Sequence, residues 1–222
     1  SVVAFITTTF YYILLNMKTD PKSQRTLFPE ECLLREIAKQ PRLSIGIPCE
    51  DEKIETRLSL TPEGVAILTE EGHSVYIQRG AGTPMSYSDL QYSEAGAFLV
   101  DSPADVFSAD IILKITPPTL VEIELMNKRA TVFSMLQLNH LSKETIALML
   151  KKKMNAIAYE LIRDEQKTFP VVSTISEVEG STAIAVAAEL MSNERGGKGL
   201  LLGGVAGISP TEVVILGAGI AG

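Results

Sequence analysis

Six short apolar runs alternate with helix-length segments between residues 43 and 161. The runs read LSIGI (43–47), SVYIQ (74–78), AFLV (97–100), DIILKI (110–115), ATVFSML (130–136) and NAIAYEL (155–161). Strands that are separated by helices pair in parallel, because a parallel pair needs a long crossover connection. The alternation therefore predicts an α/β fold, with a doubly wound domain and a mostly parallel sheet over residues 43–170.

Cap residues mark where the helices of this domain begin. Thr61 and Pro62 supply an N-cap and a helix-starting proline. Ser88 and Gln91 have the spacing of a capping box, in which each side chain bonds the other residue's backbone N–H. We therefore expect one helix to begin at residue 62 and another at residue 89.

The pattern changes after Pro170. Ser176 and Glu179 again have capping-box spacing, and an alanine-rich stretch follows them. We expect a helix over 176–192 that connects two domains, and we place their boundary near residue 170. Residues 171–222 would then hold this connector and the start of a second domain.

Composition and charge exclude several classes of protein. Apolar residues make up 45% of the chain, which is enough for a core and too much for a disordered segment. With 20 Lys and Arg against 27 Asp and Glu, the chain has no basic surface to bind nucleic acid. Its two cysteines, Cys32 and Cys49, form no metal-binding motif, so the sequence predicts no metal site.

Residues 1–42 form an N-terminal extension before the first predicted strand. Ser1–Leu15 is apolar, but it is shorter than the roughly 20 residues that a membrane-spanning helix needs, and it lacks the features of a signal peptide. We expect the natural start at Met17, with residues 1–16 not native. The alternative is a short membrane-associating leader.

A glycine motif ends the sequence. Residues 211–216, TEVVIL, are predicted to form a strand that leads into Gly217, Gly219 and Gly222 with G-x-G-x-x-G spacing. In that context the glycines allow a tight turn and close approach of a pyrophosphate, which indicates dinucleotide binding. The helix that would complete this site would follow Gly222, so we expect the chain as given to be inactive.

Lys114 lies within the apolar run IILKIT. A buried ammonium is costly unless it reaches a partner or a ligand. Open α/β sheets bind ligands at the carboxyl ends of their strands, which suits an anion-binding lysine there. The alternative is a lysine that extends to solvent from an edge strand.

Arg57 and His140 are further candidates, and both are predicted to lie in loops. Arg57 precedes the helix capped by Thr61 and could bind a carboxylate through two parallel hydrogen bonds. It could instead pair with Glu52 or Glu55 at the surface. His140 follows a predicted strand and could transfer a proton, or it could simply be solvated.

Four ordered segments resemble the alanine dehydrogenase and nicotinamide nucleotide transhydrogenase α-subunit family. They are IGIPCEDEKIETRLSLTPEGV, RGAGTPMSYSDLQYSEAGA, ADIILKITPP, and the SEVEG helix with RGGKGLLLGGVAGISPTEVVILGAGIAG. The resemblance covers residues 43–222 and is greater for the alanine dehydrogenase branch. It implies a substrate-binding domain followed by the start of a Rossmann-type, NAD-binding domain, which together correspond to the amino-terminal half of such an enzyme.

The resemblance also implies roles for individual residues. Arg57 and Lys114 would hold the carboxylate and the carbonyl of a small amino-acid or 2-oxo-acid substrate. Ser176 would contact the cofactor, and the backbone at Gly217, Gly219 and Gly222 would lie against its pyrophosphate. The implied cofactor is NAD, with NADP as the alternative, and the implied reaction is oxidative deamination of L-alanine to pyruvate and ammonia.

One residue departs from the family pattern. The family has its catalytic histidine in a YLHL-like strand. This sequence reads MLQL there, so Gln137 occupies the position of the histidine. Glutamine can hydrogen-bond a carbonyl but does not exchange a proton near neutral pH. Either another group, such as His140, handles the proton, or the substrate is not alanine.

Three alternatives to an alanine dehydrogenase stay open at this stage. They are a transhydrogenase α-subunit, a saccharopine-dehydrogenase-like enzyme, and a non-catalytic module that binds a small carboxylate. The resemblance further implies a homo-oligomer for the full-length protein, residence in the cytoplasm and no membrane partner.

Overall fold

The computed structural model describes residues 42–203, 205–207 and 211–221. Its contacts form two compact units, of which the first ends at Glu160 and the second begins at Leu161. This division precedes residue 170, where the sequence predicts a boundary between functional domains; that functional boundary stays a prediction. The expectations for Met17, for the extension up to residue 41 and for Gly222 fall outside the described residues.

The first unit contains a six-stranded, fully parallel sheet in the order β3-β2-β1-β4-β5-β6. The strands are β1 (Ser44–Ile47), β2 (Ser74–Gln78), β3 (Phe98–Val100), β4 (Ile111–Leu113), β5 (Thr131–Ser134) and β6 (Asn155–Ala158). Each lies within one of the six apolar runs. The prediction of a doubly wound α/β domain is therefore confirmed.

Five helices connect these strands. They are α1 (Pro62–Glu70), α2 (Asp89–Glu94), α3 (Pro103–Phe107), α4 (Leu120–Leu125) and α5 (Lys143–Lys152). Thr61 caps α1 by accepting a hydrogen bond from the backbone N–H of Gly64 at 3.4 Å. Ser88 and Gln91 form the predicted capping box of α2. Both predicted helix starts are confirmed, because the cap residues satisfy backbone donors that the first turn leaves unpaired.

The core covers both faces of the sheet. Ile111 and Leu113 of β4 pack into one apolar cluster, while Ile112 packs into the other, together with Ile123 of α4 and Val132 of β5. A strand that is buried on both faces needs a continuous apolar run. This explains why the sequence around Lys114 is apolar at successive positions.

The strand order reverses between β1 and β4, which are direct neighbours. From this point the chain connections run outward in opposite directions along the sheet. In open parallel sheets, the loops that leave the carboxyl ends of two such strands diverge and leave a crevice, in which ligands bind. The fold therefore predicts a site at the carboxyl ends of β1 and β4.

The second unit contains a long helix, α6 (Pro170–Met191), which is followed by a 3₁₀ turn at Asn193–Arg195. The prediction that this helix begins after a cap at Ser176 is wrong, because Pro170 occupies its first turn and Ser176 lies in its interior. Proline suits a helix start, where its missing N–H has no partner to lose. The hydroxyl of Thr174 donates to the carbonyl of Pro170 at 3.0 Å, which accommodates this polar stretch within the helix.

By length and composition alone, α6 could cross a membrane. One such helix is weak support for a membrane protein, because helices of soluble proteins pass the same test. Its exposed apolar side chains include Val178, Ile184, Val186 and Leu190.

Residues 211–216 form no strand, which corrects the prediction for TEVVIL. The side chains of Val214 and Leu216 are 82% and 94% exposed. A strand exists only through hydrogen bonds to a neighbour, and the described part of the chain pairs no strand with this segment.

Candidate active site

Lys114 directly follows β4 and is only 3% exposed. Its ammonium donates to both carboxylate oxygens of Glu122, with Nζ to Oε1 and Oε2 distances of 2.8 and 2.9 Å. Because β4 lies between β1 and β5, the alternative of a lysine reaching solvent from an edge strand is wrong. Lys114 is a buried cation with an anionic partner, as its position in an apolar run requires.

Glu50 brings a second carboxylate to Lys114 from the loop after β1. Its Oε2 lies 3.9 Å from Lys114 Nζ, and its side chain is 5% exposed. The same carboxylate accepts hydrogen bonds from the backbone N–H of Ile115 and from the hydroxyl of Thr116, the latter at 2.6 Å. Glu50 therefore joins the carboxyl ends of β1 and β4, at the reversal of strand order.

Arg57 pairs with Glu55 through two parallel hydrogen bonds. Nε donates to Oε1 at 2.8 Å and Nη2 donates to Oε2 at 2.6 Å. Burial alone would raise the pKa of Glu55, but the hydrogen bonds and charge of Arg57 outweigh burial and lower that pKa. The expected pairing with Glu55 is thus present, although Arg57 is half-buried rather than fully at the surface.

Two hydroxyl groups hold the backbone around Lys114, and one of them links it to the loop of Arg57. Ser59, two residues after Arg57, donates to the carbonyl of Leu113 at 3.0 Å. The hydroxyl of Tyr159 donates to the carbonyls of Lys114 and Ile115 at 3.3 and 3.1 Å.

The ionisation of Tyr159 reports the charges around this region. Burial raises the pKa of the Tyr159 hydroxyl, the negative charge of Glu50 raises it further, and the positive charge of Arg57 opposes the rise. The Tyr159 hydroxyl therefore stays protonated near neutral pH and can donate its hydrogen bonds to the backbone of residues 114 and 115.

Gln137 lies in the turn after β5, and its side chain is exposed. Its backbone has φ +47°, and its N–H donates to Oε1 of Glu160 at 2.8 Å. The other oxygen of Glu160 accepts from the backbone N–H of Leu136 at 3.2 Å. His140 is exposed in the same turn, and its N–H donates to the carbonyl of Gln137 at 2.7 Å. The roles of Gln137 and His140 stay predictions.

The predicted cofactor residues lie in the second unit. Ser176 is half-buried within α6, so it does not lie at the helix N-terminus where the sequence placed it. Gly217 has φ +126°, and an added Cβ would meet no atom within 4 Å at Gly217 or at Gly219. Glycine adopts this positive φ at Gly217 without strain. The cofactor roles of Ser176, Gly217 and Gly219 stay predictions.

Four site residues carry no assigned role in the sequence interpretation: Glu50, Glu122, Tyr159 and Glu160. A signal for Glu122 was available, because Thr119-x-x-Glu122 has capping-box spacing. Glu50 had no local signal, because it meets Lys114 only through the pairing of β1 with β4. Tyr159 and Glu160 had no such signal, since their partners lie more than 20 positions away in the chain.

The arrangement brings together two cations, each held by a carboxylate: the half-buried guanidinium of Arg57, in the loop bonded to β4 through Ser59, and the buried ammonium of Lys114 at the end of β4. That these cations bind an anionic substrate stays a prediction. Within the described ranges, no group of three or more His, Cys, Asp or Glu residues could hold a metal ion.

Comparison with known proteins identifies the family. The family model "Alanine dehydrogenase/PNT, N-terminal domain" matches residues 46–179, and "Alanine dehydrogenase/PNT, C-terminal domain" matches residues 183–222. The chain belongs to the alanine dehydrogenase/PNT family. The two matches meet inside α6, the helix that the sequence analysis expects to connect two domains.

Individual members of the alanine dehydrogenase/PNT family agree with this assignment. The chain is 39% identical to the alanine dehydrogenases of Staphylococcus saprophyticus and Methanococcus maripaludis, over 80% of its own length and 48% of theirs. It is 40% identical to that of Mycolicibacterium smegmatis, with the same coverage. The chain therefore spans about half the length of these relatives.

Solved structures of the family agree in fold. A structure of L-alanine dehydrogenase matches 81% of this chain with a TM-score of 0.76 and 34% identity, and 49% of that chain is covered. A transhydrogenase from Sinorhizobium meliloti matches 66% of this chain with a TM-score of 0.60 and 28% identity, and 44% of it is covered. Both branches of the family thus share the fold, and the alanine dehydrogenase is the more similar of the two.

Proposed function

We propose that the full-length protein is an NAD-dependent alanine dehydrogenase. The reaction converts L-alanine, NAD⁺ and water to pyruvate, ammonium, NADH and a proton. The observation that supports this proposal most is the placement of Lys114 at the carboxyl end of β4, with the loop of Arg57 bonded to the same strand through Ser59 and each cation paired with a carboxylate. This is the crevice where a parallel sheet binds its ligand.

Arg57 binds the substrate carboxylate in this proposal. A guanidinium presents five N–H donors in a planar fork, which matches the two oxygens of a carboxylate. Glu55 engages Nε and Nη2 and fixes the plane of the guanidinium before the substrate arrives. Because the orientation is set in advance, less conformational entropy is lost on binding.

Lys114 binds the oxygen that water adds to the α-carbon after the hydride has left, which becomes the carbonyl oxygen of pyruvate when ammonia departs. Its buried ammonium places a positive charge where negative charge develops on that oxygen during the reaction. Such fixed charges are most effective in a site that excludes water, because no reorganisation is needed as the charge develops. The low exposure of Lys114 supports this role.

Gly217 and Gly219 would hold the pyrophosphate of the cofactor, and Ser176 would contact the cofactor from α6. When bound, NAD⁺ supplies the hydride acceptor. The positive φ of Gly217, which glycine adopts without strain, supports this placement. The order of functional domains, with a boundary near residue 170, belongs to the same proposal.

Gln137 favours a second candidate function, a non-catalytic protein that binds a small carboxylate. Its amide can orient a substrate oxygen, but it cannot take up the proton that is released when water attacks. For an active enzyme, another group must accept that proton, and we assign this role to His140, which adjoins Gln137 in the same turn.

Assay of the full-length protein distinguishes the two functions. We expect NADH formation that depends on L-alanine, together with loss of this activity in Arg57→Ala. A protein that binds pyruvate in calorimetry but forms no NADH would support the binding function and refute the enzyme. In an active enzyme, His140→Ala should lower kcat by at least about a hundredfold, the usual contribution of a general acid or base.

A further inference from the structure

Glu122 belongs both to an ion pair with Lys114 and to the N-terminal cap of α4. Its Oε1 and Oε2 accept hydrogen bonds from Lys114 Nζ at 2.8 and 2.9 Å. Its Oε2 also accepts from the backbone N–H of Thr119 at 2.6 Å, as the reciprocal half of the α4 capping box. The carboxylate that holds the ammonium is therefore itself held by the first turn of α4.

Glu50 does not hold the ammonium in the same way. Its nearest oxygen lies 3.9 Å from Lys114 Nζ, beyond hydrogen-bond distance, and its carboxylate is engaged by the backbone and hydroxyl of residues 115 and 116. Glu50 contributes negative charge near Lys114, whereas Glu122 contributes directed hydrogen bonds. Among the described residues, Glu122 is the one that accepts hydrogen bonds from Nζ.

The geometry of an ammonium makes this distinction important. Lys has three N–H donors and no acceptor. At most two of them point to the two oxygens of Glu122, so the direction of the remaining donor depends on where Glu122 lies. A substrate oxygen meets that remaining donor.

We propose that Glu122 is a positioning residue for Lys114, and that the first turn of α4 sets the direction in which the ammonium meets the substrate. The kinetic part of this inference rests on the proposed function, because it needs a substrate at Lys114. The structural part does not.

Glu122→Gln separates positioning from helix capping. A glutamine can preserve the capping box, since its single oxygen can accept from the Thr119 N–H. Its NH₂ group then faces Lys114 Nζ, where Glu122 has Oε1 at 2.8 Å. Two donors cannot bond each other, so the ammonium moves while the helix cap stays.

Thr119→Ala is the matched control. It removes the hydroxyl that accepts from the Glu122 N–H at 3.3 Å, and thereby weakens the α4 cap. The carboxylate of Glu122 and its bonds to Lys114 are unchanged. This variant should lower the melting temperature and leave the position of Nζ as it is.

The full-length protein and both variants are assayed for L-alanine-dependent NADH formation, and their crystal structures are determined. We expect Glu122→Gln to lower kcat/KM for L-alanine about tenfold to a hundredfold, the effect of losing a charged hydrogen bond. The KM for NAD should be unchanged. We expect Nζ to move in Glu122→Gln, and both kcat/KM and Nζ to be unchanged in Thr119→Ala.

Three results would overturn the inference: Nζ unmoved in Glu122→Gln, an unchanged kcat/KM in that variant of an active protein, or an equal loss of kcat/KM in Thr119→Ala. The last result would assign Glu122 to capping alone. A wild-type protein without alanine-dependent activity refutes the proposed function instead. The position of Nζ in the two variants then decides the positioning inference by itself.

Discussion

Replacing Lys114 by methionine should destabilise the protein, and the structure indicates by how much. The substitution leaves Glu50 and Glu122 without their cation, and their side chains are 5% and 19% exposed. Breaking one partner of a buried ion pair costs about 3–5 kcal/mol. Because both carboxylates keep backbone N–H partners, we expect a loss near the lower end, about 3 kcal/mol.

A double-mutant cycle measures the coupling directly. Glu122→Gln alone should destabilise the protein by about 2 kcal/mol, the usual contribution of a hydrogen bond to a charged group, since it leaves the more distant Glu50 as the nearest carboxylate to Lys114. In the double variant the ammonium and its hydrogen-bonded carboxylate are both absent. The double variant should therefore lose about 2 kcal/mol less than the sum of the single variants.

Urea denaturation followed by circular dichroism gives the free energies of unfolding for this cycle. Lys53→Met is the control, because Lys53 is exposed, and it should change stability by no more than about 0.5 kcal/mol. Free energies that add within about 0.5 kcal/mol would show that Lys114 and Glu122 are not coupled and would refute the reasoning.

Three further predictions concern stability and protection. The hydroxyl of Ser134 is fully buried and has no hydrogen-bond partner among the described residues, so Ser134→Ala should raise the free energy of unfolding by about 1 kcal/mol in urea; a decrease would contradict this. The folded-state pKa of Glu55 lies below its ordinary value of 4.5, so its stabilising effect is present above that value and is lost as the pH falls through the folded value. Wild-type protein should therefore lose more stability than Glu55→Gln on acidification from about pH 5 to about pH 3, and equal losses would count against the Arg57 pair. In the 222-residue chain, the amides of residues 211–216 should exchange hydrogen rapidly, because no strand pairs with them; protection equal to that of β4 would show the opposite.

The sequence was sufficient to predict the first unit because its signals are local. The cap at Thr61 and the capping box of Ser88 and Gln91 depend on residues within three positions of each other. The apolar runs likewise place the six strands. The prediction of a helix start at Ser176 was wrong because the helix already begins at Pro170. The capping-box spacing of Ser176 and Glu179 therefore lies inside the helix, where it caps nothing. Residues 211–216 have strand composition, but a strand also needs a partner that composition does not specify.

The site was less predictable, because its contacts join distant parts of the chain. The sequence identified Lys114 as a buried cation that needs a partner, and it offered Glu55 as a partner for Arg57. It did not identify Glu50, which lies 64 positions before Lys114 and reaches it only because β1 and β4 are neighbours. Tyr159 reaches the same place from beyond β6, through hydrogen bonds that span more than 40 positions.

The kcat/KM of full-length Lys114→Met with L-alanine and NAD tests the central claim most directly. If the buried ammonium stabilises the developing oxygen charge, this value should fall at least about a hundredfold below wild type, the effect of removing one such donor. Lys53→Met should match wild type. A value for Lys114→Met within about twofold of wild type would contradict the account, because Lys114 would then be a structural cation and not part of the substrate site.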